Sequence, residues 1–270
     1  MNQMSQVLTY SLPVFFALIS LYAHARWRKR AVMACLIGVI SGLSLFQVWL
    51  AMRGGWSGDF VHTIWLTVAA SIAIFALILP VNKTVYDLSG LFLPLVTATA
   101  FFAMGWYIFA PAPSVAVAQD FNGTAWIFVH IGTAVATYAM LTIAACASLA
   151  VWIKEHALKR KMRNILADGL PPVMAAESLQ MRMLSLAEGV LAVSLLSGMA
   201  VEYTSKGVLL SFSHKEVLSL LAFVVIGFLL LANHRFGVRG KRASRLLLLA
   251  YLLVVLGYPG VKLIIGLLVS

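Results

Sequence analysis

The chain has 270 residues, of which 62% are hydrophobic and only 11% charged, with a mean hydropathy of +0.96. A soluble domain carries roughly a quarter of its residues as charged groups, so a water-soluble globule is excluded. The net charge of +11 and the pI near 10.0 would suit a nucleic-acid partner, unless the basic residues gather on one side of a membrane.

A membrane helix needs roughly 20 apolar residues to cross about 30 Å of hydrocarbon. Eight runs of that kind follow one another, at about residues 5–24, 31–52, 60–80, 88–110, 125–153, 182–203, 215–233 and 244–268. The expected architecture is all-α: a polytopic integral membrane protein with about eight transmembrane helices, forming a single membrane domain over residues 1–270. If the runs alternate in direction, sixteen of the twenty Lys and Arg residues share one side, and only Arg53, Lys206, Lys215 and Lys262 fall on the other. The positive-inside rule then puts both termini on the outer, periplasmic side of a bacterial inner membrane. The basic excess is thereby explained by topology and the bilayer, with no nucleic acid.

The first run precedes Ala23-His24-Ala25, a small-residue pattern like a signal-peptide cleavage site. A signal peptide has its positive charge before the apolar run, whereas here Met1 to Val7 has none and Arg26 to Arg30 follow, so a retained anchor is expected. The outer loop Pro111 to Thr124 is expected to be irregular. The longest inner segment, Lys154 to Arg182, extends the fifth helix and breaks at Gly169-Leu170-Pro171-Pro172, because proline after glycine stops a helix.

At membrane depth the informative positions are polar or ionisable, since hydrocarbon penalises them unless they are paired or solvated. His24, His156 and His234 stand among Lys and Arg and read as interfacial anchors. His62, His130 and His214 instead sit near the outer ends of runs three, five and seven, which places them at one level of the membrane. A neutral imidazole can ligate a metal or haem iron through one nitrogen while a partner orients the other. His62 can equally meet headgroups, His214 can cap a helix beside Lys215-Glu216, and His130 can make an interhelical hydrogen bond. His130 lies four residues inside Trp126 and is followed by Thr133, Ala134, Thr137 and Tyr138, a small and polar stripe at helical spacing. Cys35 and Cys146 read as packing residues, with no Cys-x-x-Cys pattern. Glu188 is expected to pair with inner-edge arginines, Glu202 with Lys206 or Lys215, and Gln47 to hydrogen-bond across helices. No phosphate loop or nucleophile elbow is present, and no enzymatic activity is expected.

Several ordered pieces carry a family resemblance: Trp126-Ile127-Phe128-Val129-His130 with Tyr138, Leu170-Pro171-Pro172, His214-Lys215-Glu216-Val217-Leu218, Gly237-Val238-Arg239-Gly240-Lys241-Arg242-Ala243, and Tyr258-Pro259-Gly260-Val261-Lys262. Together they resemble the cytochrome c assembly superfamily that includes CcsA and CcmC, and within it the short eight-helix YpjD- and HemX-like branch, most strongly over residues 125–268. The resemblance implies haem handling at the outer face and cytochrome c assembly components as partners. It places His130 at the first outer histidine and aligns Leu210-Ser211-Phe212-Ser213-His214-Lys215-Glu216 with the end of the family's tryptophan-rich segment, keeping Ser, Lys and Glu but neither Trp nor the Asp. The family's inner histidine of the seventh helix falls near Leu231, and Gln47 stands near where a histidine is common. What survives is an outer vestibule in which His130 and His214 ligate haem iron, lined by Phe212, Trp126, Tyr138 and His62.

Two rival readings follow from the same residues. His62, His130, Glu202 and His214 could form a divalent-cation site of a transport or efflux accessory without porphyrin. Alternatively, the basic segment Lys154 to Arg163 could dock a cytosolic partner or anionic lipid.

Overall fold

A computed structural model describes residues 18, 30–52, 60–109, 125–161, 165–208 and 214–256. The described residues form eight α-helices and no strand: α1 (Arg30–Met52), α2 (Phe60–Ile78), α3 (Lys83–Phe109), α4 (Ala125–Arg160), α5 (Ile165–Gly169), α6 (Val173–Lys206), α7 (His214–Phe236) and α8 (Gly240–Val255). Six of them, α1 to α4, α6 and α7, are long and apolar enough to cross a membrane. The all-helical, multi-pass architecture expected from the sequence is therefore present. Apart from Leu18, the first apolar run lies outside the described residues, as does the end of the last one.

The helices divide into two compact units, α1 to α3 and α4 to α8. In the first, α1 buries Met33, Ile37, Ile40, Ser44 and Gln47, positions spaced alternately by four and three residues that form one seam along the helix. The turn between α2 and α3 is closed by Asn82, whose side-chain oxygen accepts the backbone N–H of Thr84 at 2.9 Å, and α3 therefore begins at Lys83, five residues before the apolar run itself. Phe75 of α2 stacks on Phe92 of α3 with ring centroids 4.0 Å apart. Pro94 stands inside α3, where it removes one backbone donor from the helix.

The second unit is organised around α4. From Leu141 to Val151 all but one of its residues are buried, and most are Ala, Cys or Ser. A helix apolar and small all round is enclosed by neighbours, and α4 packs most extensively against α6 and then α8. Against this core, Leu196 of α6 and Phe228 of α7 stay exposed, as expected of side chains that meet lipid.

The sixth apolar run begins at about residue 182, but α6 starts at Val173, directly after Pro172. Pro172 has an extended ψ of 144°, so the proline pair ends one segment and its fixed φ opens the next helix. The expected break at Gly169 to Pro172 is present, and Lys154 of α4 donates to the carbonyl of Leu170, tying this corner to the core.

One end of this unit is closed by a glycine turn. Gly237 ends α7 with φ +61°, and Gly240 opens α8 with φ +62°. The N–H of Gly240 donates to Glu177 Oε1 of α6 at 2.7 Å, while a Cβ on Gly240 would lie 2.6 Å from Glu155 Oε1 of α4. Three helices thus meet at a residue whose left-handed backbone favours glycine, and whose missing side chain leaves room for the Glu155 carboxylate. The chain thus turns tightly between α7 and α8 through Gly237-Val238-Arg239-Gly240. This turn gathers Lys154, Arg160, Arg239, Lys241 and Arg242 at one end of the unit.

Substitution separates the two glycine effects. Gly207, the left-handed cap of α6, has nothing within 4 Å of its Cβ position. Gly207→Ala is expected to cost the backbone penalty alone, roughly 1–2 kcal/mol, and Gly240→Ala to cost more, because it also displaces Glu155. Thermal midpoints of the two variants in one detergent check this order; equal midpoints would remove the packing role assigned to Gly240.

Candidate functional site

The best-defined polar contact at membrane depth joins α4 to α6. His130 lies in the second turn of α4, half-buried, with Nδ1 2.8 Å from the backbone oxygen of Ser194 in α6. A carbonyl only accepts, so Nδ1 carries the proton and the lone pair is left on Nε2. The same carbonyl accepts the hydroxyl of buried Ser197 at 3.0 Å. The ring fits because of Gly198: a Cβ there would lie 3.0 Å from His130 Cε1 and 3.1 Å from Nδ1, tighter than an undisturbed ring tolerates.

This is a fixed imidazole. A backbone acceptor on one nitrogen sets the tautomer and ring orientation, and the other nitrogen is left as a Lewis base, which is how metal- and haem-ligating histidines are commonly held. His130 therefore makes the interhelical hydrogen bond that the sequence suggests, and its Nε2 retains a lone pair.

The other expected site residues have different settings. Trp126 stands one turn before His130 on α4 and is half exposed, with Phe128 more exposed still. Tyr138, two turns beyond His130, donates its hydroxyl to the carbonyl of Val254 at 2.9 Å and so joins α4 to α8. Thr133 and Thr137 turn their hydroxyls back onto backbone oxygens of their own helix, to Val129 and Thr133 respectively, so the polar stripe is largely satisfied within α4. His214 is the first residue of α7, but its side chain, like all of Phe212, lies outside the described residues. His62 is half-buried in the first turn of α2 and belongs to the first unit.

Three expectations about polar residues need correction. Among the described residues Gln47 has no cross-helix hydrogen bond: it is buried in the α1 seam, and neither side-chain amide atom has a partner there. Glu188 is not seen paired with an arginine among the described residues: its Oε2 is buried without a hydrogen-bond partner there, well inside the span of α6. Cys35 is exposed, whereas Cys146 is packed inside α4 as expected. Among the described residues, no group of three or more His, Cys, Asp or Glu is placed to hold a metal ion.

The seat of His130 was not read from the sequence. Its signal is Ser194-Leu195-Leu196-Ser197-Gly198, small polar residues and a glycine interrupting an otherwise aliphatic stretch. In a membrane helix such residues mark a face where a neighbour comes close.

Fold and site together define a multi-pass helical membrane protein with an oriented imidazole between two of its helices. The family model described as "Cytochrome C assembly protein" matches residues 39–268, and the chain belongs to that family. It is also similar to a protein of Azospirillum brasilense described as "Uncharacterized 28.8 kDa protein in nifR3-like 5'region". That protein is 40% identical over 269 residues, covering 96% of this chain and 97% of its own length. No solved structure matches the chain.

A pair of glycine substitutions in α6 tests the seat. Gly189 has nothing within 4 Å of its Cβ position, so Gly189→Ala is expected to be neutral or to stabilise by up to about 1 kcal/mol. Gly198→Ala pushes on the imidazole and is expected to lower the thermal midpoint in detergent. If both substitutions behave alike, the contact between Gly198 and His130 has no energetic weight.

Proposed function

We propose that this protein binds haem at the outer face of a bacterial inner membrane and serves cytochrome c assembly or haem supply. The observation that carries the reading is the His130 seat: Nδ1 held by the Ser194 carbonyl and Nε2 left with its lone pair. Membership of the cytochrome c assembly family supports the same reading and gives it a pathway. The chemistry of the donor fits the group, because neutral imidazole is a common axial ligand of haem iron. His130 would supply one axial ligand, with Trp126 one turn away as an aromatic wall, and His214 would supply the second.

When bound, haem provides the redox-active iron and the reactive vinyl groups that cytochrome c assembly uses. The protein's share is to bind and orient. The α4–α6 contact fixes the imidazole plane, and the exposed indole of Trp126, one turn away on the same side of α4, favours a large flat ligand over a hydrated ion. The bias of Lys and Arg supports an arrangement with both termini outside, which puts His130 toward the periplasm, where cytochromes c receive their haem.

The visible absorption spectrum of the full-length protein, purified in detergent after expression with ample haem, tests the proposal. The wild type is expected to show a Soret band with bis-imidazole features in the reduced and oxidised states. His130→Ala and His214→Ala are each expected to lose those features and most of the bound haem. A colourless wild type, or unchanged spectra in both variants, would overturn the reading.

A further inference from the structure

A second polar position lies on another face of α6, in the seam with α7. Glu188 is near the midpoint of the apolar span Val173–Ser205, roughly 22 Å along the helix from its start. Its Oε1 would be 3.1 Å from a Cβ on Gly227, which is near the midpoint of the span Glu216–Phe236 of α7. Its Oε2 is buried and has no hydrogen-bond partner among the described residues. The carboxyl therefore occupies the space that a side chain at position 227 would fill, near the middle of both apolar spans.

The surroundings decide which ligand such a group can take. No other ionisable residue occurs on α6 from Met183 to Val201, and none occurs on α7 from Val217 to Asn233. The core stretches of α4 and α8 contribute Tyr138, Cys146 and Tyr251. Tyr138 donates to Val254, Tyr251 shares a hydrogen bond with Thr142, and Cys146 is packed among alanines of α4. None of these is a cation. A metal ion needs several oxygen or nitrogen ligands, which this stretch of the seam lacks, and an ionised carboxylate needs a partner. A proton needs one oxygen.

We propose that Glu188 is a proton-binding site at mid-depth in the α6–α7 seam, seated in the gap left by Gly227. The site is separate from the His130 seat, which uses the face of α6 that meets α4. It gives the protein one exchangeable proton within the membrane, on the same rigid helix that positions the imidazole.

A hydrophobic carbodiimide tests this on the full-length protein in membrane vesicles, because dicyclohexylcarbodiimide enters the bilayer and modifies carboxyl groups only when they are protonated. Mass spectrometry of the digested wild type is expected to place the adduct on Glu188, with a rate that falls about tenfold per pH unit once the carboxyl ionises. Sodium at constant pH is expected to give no protection, and Glu188→Gln to carry no adduct. Gly227→Ala, which fills the gap, is expected to change the labelling rate severalfold. As a second readout on unlabelled protein, the infrared spectrum is expected to contain a protonated-carboxyl band that Glu188→Gln removes. No adduct on Glu188 together with no such band, a rate independent of pH, or protection by sodium would each overturn the proposal.

Discussion

Between the apolar helices of this bundle, an imidazole N–H has no water to bond and must find an acceptor in protein. His130 finds it in the backbone oxygen of Ser194 on the neighbouring helix, and the approach is possible because Gly198 has no side chain. Several consequences follow from that one bond. It fixes the register of α4 against α6, the most extensive helix pair in the protein. It also fixes the tautomer, and with it the nitrogen that can act as a ligand. Structural and chemical roles that looked like alternatives at this position are two ends of one ring.

At the opposite end of the same helices the constraint is conformational. Gly240 brings the N-terminus of α8 onto Glu177 of α6 and leaves room for Glu155 of α4. The two carboxylates lie where Lys and Arg are concentrated, so they offset local repulsion among the cations while they join three helices. Between the two ends, α4 is packed through small residues that allow close approach along its length. The unit is thus pinned at both ends by polar contacts and filled between them by Ala, Cys and Ser.

Much of this was legible in the sequence, for physical reasons. Long apolar runs report membrane helices directly, because hydrocarbon leaves the backbone few alternatives, and α1 to α4, α6 and α7 lie where those runs predict. The glycine turn at Gly240 and the break at Gly169 to Pro172 were also readable, since left-handed turns and prolines act locally. Partners were not readable. Charge suggests countercharge, and so arginines, for Glu188, yet its carboxyl lies against Gly227 of α7. Gln47 was given a cross-helix bond that its place in the α1 seam does not provide. The seat of His130 depends on a glycine 68 residues away in the chain, a distance over which composition carries no signal. The start of α6 was set too late because Glu177 and Arg182 dilute its apolar character, although the helix itself continues through them.

The central claim is that His130 is held as the Nδ1–H tautomer, with Nε2 free to ligate. The most direct measurement is the ¹⁵N NMR spectrum of histidine-labelled, haem-free protein in lipid, with the His130 signals assigned by their loss in His130→Gln. In the neutral ring, a protonated Nδ1 and an unprotonated Nε2 are expected. A proton on Nε2 instead would place it on the nitrogen that must bind iron, leave the Ser194 carbonyl without its donor, and contradict the account.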